Sequence, residues 1–161
     1  AEKMSRLGDG TFIPLHAPAR VSSTLVRDEL MKEESVQDAA KLMNRIDVAL
    51  VGIGYPNEHS AIKATGYYKE NEIESLISRK AAGELCMQFY DMEGRTEPYV
   101  SDNAVIGMDI QRLRKVPCSV GIAGGREKLA AIQGAINGKY INVLITDTKC
   151  ARALLSDEEE E

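Results

Sequence analysis

The chain has 161 residues, 43% of them hydrophobic and 28% charged, with a net charge of -5. That length suits one domain with a sizeable core, and the ordinary composition excludes a fibrous or wholly disordered chain. The acidity is concentrated in Asp157 to Glu161, read as a solvated tail; without it 20 acids face 20 Lys and Arg, so the body offers no electrostatic footprint for nucleic acid.

"AEKMSRLGDG" reads as the last turn of a helix ending at Gly8. "TFIPLHAPARV", broken by Pro14 and Pro18, reads as a brief strand running into a turn. Ser22 or Ser23 caps a helix to about Lys32. Ser35-Val-Gln-Asp38 has the pattern of a capping box, and Val36, Ala39, Ala40 and Met43 recur behind it at helical spacing. "IDVALVGIG", Ile46 to Gly54, is a continuous apolar run rich in β-branched residues and predicts a buried parallel strand. "YPNEHSAIKATGYY" has no clean period and predicts a long loop. Ile73, Leu76 and Ile77 mark a helix that stops at Gly83.

"ELCMQFYD" then predicts one strand, Asp91 to Gly94 its turn, and Asn103 to Met108 another strand after a loop. "VPCSVGIAGG" is a second glycine-ended buried strand. Leu129, Ile132 and Ile136 form a helical stripe that ends at Asn137-Gly138. "INVLITD" is the last strand, with Asp147 placed to cap a short final helix holding Ala151, Leu154 and Leu155. Strands alternating with helices, several of them apolar on both faces, predict an α/β domain with a mainly parallel sheet and flanking helices.

Cys86, Cys118 and Cys150 are an odd number without paired spacing. They make neither a disulfide framework nor a zinc motif and read as buried thiols in a reducing compartment. No apolar run is long enough for a membrane span, and Glu2, Lys3 and Arg6 interrupt any signal peptide. The expectation is a cytoplasmic chain that has no membrane partner and needs no metal or cofactor.

In open α/β sheets ligands bind beyond the carboxyl ends of the strands. The stretch "IAGGREKLAAIQGAI" lies at such an end. Helix N-termini attract anions, and glycines let an anion approach the backbone. Arg126 and Lys128 are disfavoured there by the helix dipole alone, and a bound phosphate reverses that sign. The plain alternative is a tight strand-to-helix turn at Gly124 and Gly125 with Lys128 in water. Glu84, just after Gly83, is either a sugar-hydroxyl acceptor or an exposed strand-end acid. Lys63 and His59 read first as solvated loop residues, His16 as a packed or backbone-bonded histidine, and Tyr67-Tyr68 as packing.

"LHAPARV", "DVALVGIG", "GELCMQFYDMEG", "VIGMD", "VPCSVGIAGGREK" with "AAIQGAI", and "YINVLITD" with "ARALL" come in one order. From about Leu7 to Leu155 this series resembles the effector-binding domain of the SorC family of bacterial transcriptional regulators. The resemblance implies a fold similar to that of ribose-5-phosphate isomerase and glucosamine-6-phosphate deaminase, a sugar-phosphate effector, and homodimers or tetramers. In such regulators the domain acts on DNA through a linked helix-turn-helix domain and makes no nucleic-acid contact itself. By position it implies that Lys128, after Gly124 and Gly125, contacts the phosphosugar. It also implies that Glu84 contacts the sugar, and that the loop after Gly54 supplies a basic phosphate contact, matched by Lys63. Neither the helix-turn-helix nor the early strand-and-helix half of the domain has a counterpart in the sequence. Residues 1–156 are therefore read as the later part of the domain, incomplete at its N-terminal side, and 157–161 as the tail.

Two other readings stand beside an effector-binding module. A phosphosugar isomerase or deaminase of the same fold needs a positioned acid or histidine, for which Glu58 and Glu84 are candidates; "YPN" stands where related isomerases carry acids. A truncated paralogue serving only in oligomer formation would pair through an exposed sheet edge.

Overall fold

The computed structural model describes residues 2–57, 63, 65–102 and 104–156. Glu58, His59, Asn103 and the acidic tail lie outside the described residues.

The helix expected at the start is α1, Glu2–Leu7. The strand expected at 11–21 is not present: proline cannot donate to a ladder, and Arg20 alone makes a bridge, with Val105. That bridge is also all that remains of the strand expected at 103–108 among the described residues. Helix α2, Thr24–Leu30, is capped by Ser23, whose side chain accepts from the Val26 N–H at 3.3 Å. Helix α3, Glu34–Met43, begins at a Glu33 cap without a side-chain bond. Ser35 therefore sits inside the first turn, and the capping box is not formed. His16 is exposed rather than packed.

Strand β1, Val48–Gly52, is followed after the loop by α4, Glu70–Ser78. This helix ends earlier than Gly83; Lys80, with φ 61°, turns the chain away. "ELCMQFYD" is a hairpin rather than one strand: β2, Gly83–Leu85, pairs antiparallel with β3, Gln88–Tyr90. Its two-residue turn is Cys86-Met87, both at positive φ, 53° and 61°, the conformation that matches the twist of a hairpin. A 3-10 turn, Glu97–Asp102, and the short α5, Ile110–Leu113, lead to β4, Cys118–Ile122. A second 3-10 turn, Arg126–Lys128, enters α6, Leu129–Asn137. Strand β5, Val143–Ile145, and α7, Thr148–Ser156, complete the order.

The main sheet is parallel with order β1-β4-β5, in register Val48↔Cys118 to Gly52↔Ile122 and Val120↔Val143 to Ile122↔Ile145. Ala49, Val51, Ser119, Gly121 and Leu144 share the face turned to the core. There Leu85, Tyr90, Ile132, Ala135, Tyr140 and Cys150 are buried together. The opposite face departs from the expectation of strands covered on both sides. Val48, Leu50, Ile122, Val143 and Ile145 are between 42% and 57% exposed. Of the cysteines, Cys150 is fully buried and Cys86 and Cys118 are partly so.

A second cluster holds the other side of the hairpin. Tyr68 packs edge-on against Phe89, with ring centroids 5.4 Å apart, and carries the Arg20 guanidinium 4.1 Å over its ring. Arg20 also donates to Glu72 at 2.6 Å. This fastens the N-terminal arm to α4 and so to the hairpin.

Candidate functional site

The hairpin docks on the end of β1 by main-chain pairing. The Gly54 N–H donates to the Glu84 carbonyl at 3.0 Å, and the Glu84 N–H to the Gly54 carbonyl at 2.9 Å. The pairing turns the Glu84 side chain against Gly54, where a Cβ would overlap the Glu84 carboxylate. Only glycine allows that approach. Glu84 Oε2 accepts the Met87 N–H at 2.9 Å and so closes over its own hairpin turn. Burial pushes the Glu84 carboxyl up from its ordinary value of 4.5, while the Met87 N–H and the Lys128 charge pull it down. Burial and the neighbouring Glu84 push the Cys86 thiol to about 11, so it stays protonated.

Lys128 arrives from the other side. It ends the 3-10 turn and its Nζ donates to the Ile53 carbonyl at 2.9 Å. One half-buried carboxylate, one ammonium and the glycine that admits them thus meet at the C-terminal end of β1. The arrangement offers a hydrogen-bond acceptor for hydroxyls beside a point-charge donor for an anion.

The Gly124-Gly125 turn stands next to this pair, at the end of β4. Gly125 has φ 102°, a region L side chains avoid. Its N–H is not open to a ligand: Asp147 Oδ2 accepts it at 2.7 Å. The other oxygen, Oδ1, accepts from Lys149 N–H and Cys150 N–H, both at 2.9 Å, and caps α7 as expected. These N–H groups hold the Asp147 carboxyl down at about 2. An open cleft of about 500 Å³ beside the turn is lined by Gly125, Arg126, Glu127, Asp147, Thr148 and Lys149.

Of the residues singled out in the sequence, Gly54, Glu84 and Lys128 are brought together, and Gly124 and Gly125 adjoin them through the 3-10 turn. Lys63 is placed differently: its Nζ pairs with Glu70 of α4 at 2.8 Å, and this lowers the Glu70 carboxyl through the shared hydrogen bond and charge. Asp147 also has a second duty, the bond to Gly125. A local cap signal marked its first oxygen; nothing in the spacing marks a bond to a glycine on another loop. Among the described residues no group of His, Cys, Asp and Glu is arranged to hold a metal ion, and no helix is long and apolar enough to cross a membrane.

Strand-end glycines, a half-buried acid and a lysine at the strand ends of an open parallel sheet are the layout of a ligand-binding α/β domain. Comparison with known proteins narrows that class. Residues 1–156 match the family described as "Putative sugar-binding domain", and the chain belongs to this family, the sugar-binding domain of SorC-type transcriptional regulators. It is 33% identical to the sorbitol operon regulator of Klebsiella pneumoniae over 138 residues, 86% of this chain and 44% of that protein. To the transcriptional regulator LsrR of Klebsiella pneumoniae it is 36% identical over 143 residues, 87% of this chain and 44% of that one. The crystal structure of full-length SorC from Klebsiella pneumoniae superposes with a TM-score of 0.78 at 33% identity, over 86% of this chain and 45% of SorC. A DeoR family regulator from Listeria monocytogenes gives 0.81 at 27% identity, over 87% and 57%. The chain spans less than half the length of the curated relatives it matches.

Proposed function

We propose that this domain seats a small phosphorylated sugar at the ends of β1 and β4. It then works as the effector-sensing part of a DNA-binding regulator of carbohydrate genes. The convergence of Glu84, Gly54 and Lys128 carries the reading. A half-buried acid with free acceptor capacity suits sugar hydroxyls, and the adjacent ammonium suits a phosphate oxygen. Gly124 and Gly125 shape the turn that presents Lys128, and Lys63 would join the site by exchanging Glu70 for the ligand phosphate. The relatives' names as operon and transcriptional regulators favour binding without turnover; a cytoplasmic homodimer or tetramer is what the resemblance to SorC-type regulators implies.

The exposed apolar face of the sheet supports reading residues 1–156 as part of a larger domain, since all-parallel sheets are ordinarily covered on both faces. A thermal-shift and calorimetric panel of pentose and hexose monophosphates tests the proposal. Binding by at least one of them, weakened about tenfold or more by Lys128→Met, is expected. A folded sample that none of them stabilises overturns it.

A further inference from the structure

We infer that Asp147 is the positioning residue of this site: through the Gly125 N–H its carboxylate sets the turn that carries Lys128 to the mouth of β1. The inference rests on the ligand reading of Lys128 only for its functional meaning; the positioning itself stands on geometry.

A helix cap needs one acceptor oxygen, and Ser, Thr or Asn supplies it as well as Asp. Asp147 uses both. Oδ1 caps α7 through Lys149 and Cys150. Oδ2 is spent on Gly125, 22 residues away in sequence, at 2.7 Å, with the Cys150 thiol donating to it at 3.3 Å. The bonds continue beyond Gly125. Its carbonyl accepts the Lys128 N–H at 3.0 Å, and Lys128 Nζ reaches the Ile53 carbonyl at 2.9 Å. Three successive hydrogen bonds therefore tie the ends of β5, β4 and β1 together, with Gly125 fixed on both its N–H and its C=O. Gly124 is part of the fit: a Cβ there would stand 3.0 Å from Asp147 Oδ2. Because a carboxylate of the chain already holds the Gly125 N–H, an incoming anion meets Lys128 rather than the backbone of this turn.

Asp147→Ser separates the two duties. Serine caps α7 but is too short to reach Gly125. Asp147→Asn is the second variant: its single amide oxygen keeps the cap and turns an NH2 group toward the Gly125 N–H. Each is compared with the parent chain by circular dichroism, by the rate of reductive methylation of Lys128 read by peptide mass spectrometry, and by affinity for the panel of sugar monophosphates. The expected result is unchanged helix content, severalfold faster methylation of Lys128, and affinity lowered about tenfold, with no further loss when Lys128→Met is added. Methylation at the parent rate in a folded variant overturns the inference, as does an affinity loss fully additive with Lys128→Met. If the parent chain binds no sugar phosphate, the ligand reading fails while the methylation rate still decides the positioning.

Discussion

Gly54 and Glu84 are bonded to each other twice through the main chain, at 3.0 and 2.9 Å, and the Glu84 side chain fills the space a Gly54 Cβ would take. The pair joins the hairpin β2-β3 to the end of β1 and fixes where the acid of the site stands.

A methyl group at position 54 therefore has to displace the carboxylate, including its Cδ at 2.9 Å. Gly54→Ala is expected to cost about 1–3 kcal/mol, the range of local overpacking, and to weaken sugar-phosphate binding. In a Glu84→Ala background the obstruction is gone and the penalty shrinks. Urea unfolding of the four proteins of this cycle checks it; equal penalties in both backgrounds would contradict the geometry.

Burial raises the Glu84 carboxyl above its ordinary 4.5. The native state then holds this proton more tightly than the unfolded chain, so ionisation costs stability. The cost is absent below 4.5, where both states are protonated, and it grows as pH rises through the native pKa. Glu84→Gln keeps an acceptor for the Met87 N–H and removes the charge. It should match the parent in acid and exceed it at neutral pH, as read from urea midpoints at the two pH values. A variant that gains nothing at neutral pH would show that Lys128 fully compensates the buried charge.

Gly134 sits inside α6, where alanine is ordinarily better by about 1 kcal/mol. Here a Cβ would stand 2.5 Å from the Asp91 carbonyl oxygen and 2.9 Å from the Tyr90 ring. Overpacking of about 1–3 kcal/mol outweighs propensity, so Gly134→Ala is expected to lower the thermal midpoint. A rise would mean that the strand-helix contact yields easily.

Tyr140 is fully buried and donates its hydroxyl proton to the Gly94 carbonyl at 2.6 Å, while its own hydroxyl oxygen accepts from Arg114 Nη2 at 3.3 Å. Tyr140→Phe keeps the ring and the Arg114 guanidinium 4.8 Å over it, and leaves a carbonyl without its donor. The expected loss is about 1–3 kcal/mol, against roughly 3–5 kcal/mol for Tyr140→Ala; chemical denaturation of both variants measures the difference.

What was legible in the sequence was local. The stripe of Leu129, Ile132 and Ile136 ending at Asn137 gave α6 because helical spacing repeats within a few residues. Asp147 gave the α7 cap because a cap is read within one turn. "ELCMQFYD" hid a hairpin because its turn is built from Cys86 and Met87 at positive φ, with none of the Gly, Asn or Asp that ordinarily marks one. "TFIPLHAPARV" and the segment after Asn103 carry strand-like residues but find only one bridge partner in each other. The strand runs were apolar throughout, so alternation could not separate the core face from the exposed face of the sheet. In the site, the residue types were visible one by one. The bonds that unite them, Gly54 to Glu84, Lys128 to Ile53 and Asp147 to Gly125, join distant stretches and left no local mark.

The pairing of Val48 with Cys118 and of Val120 with Val143 also sets a timetable. The hairpin β2-β3 closes over two residues and can form at once, whereas among the described strands β1 finds its partner in β4. At about 5–20 residues per second of synthesis, an apolar strand beginning at Val48 waits several seconds for the ribosome to deliver the stretch around Cys118. Refolding should show the same order: pulsed amide exchange is expected to protect Phe89 and Tyr90 before Leu50 and Val51, with the slow step belonging to closure of the central sheet.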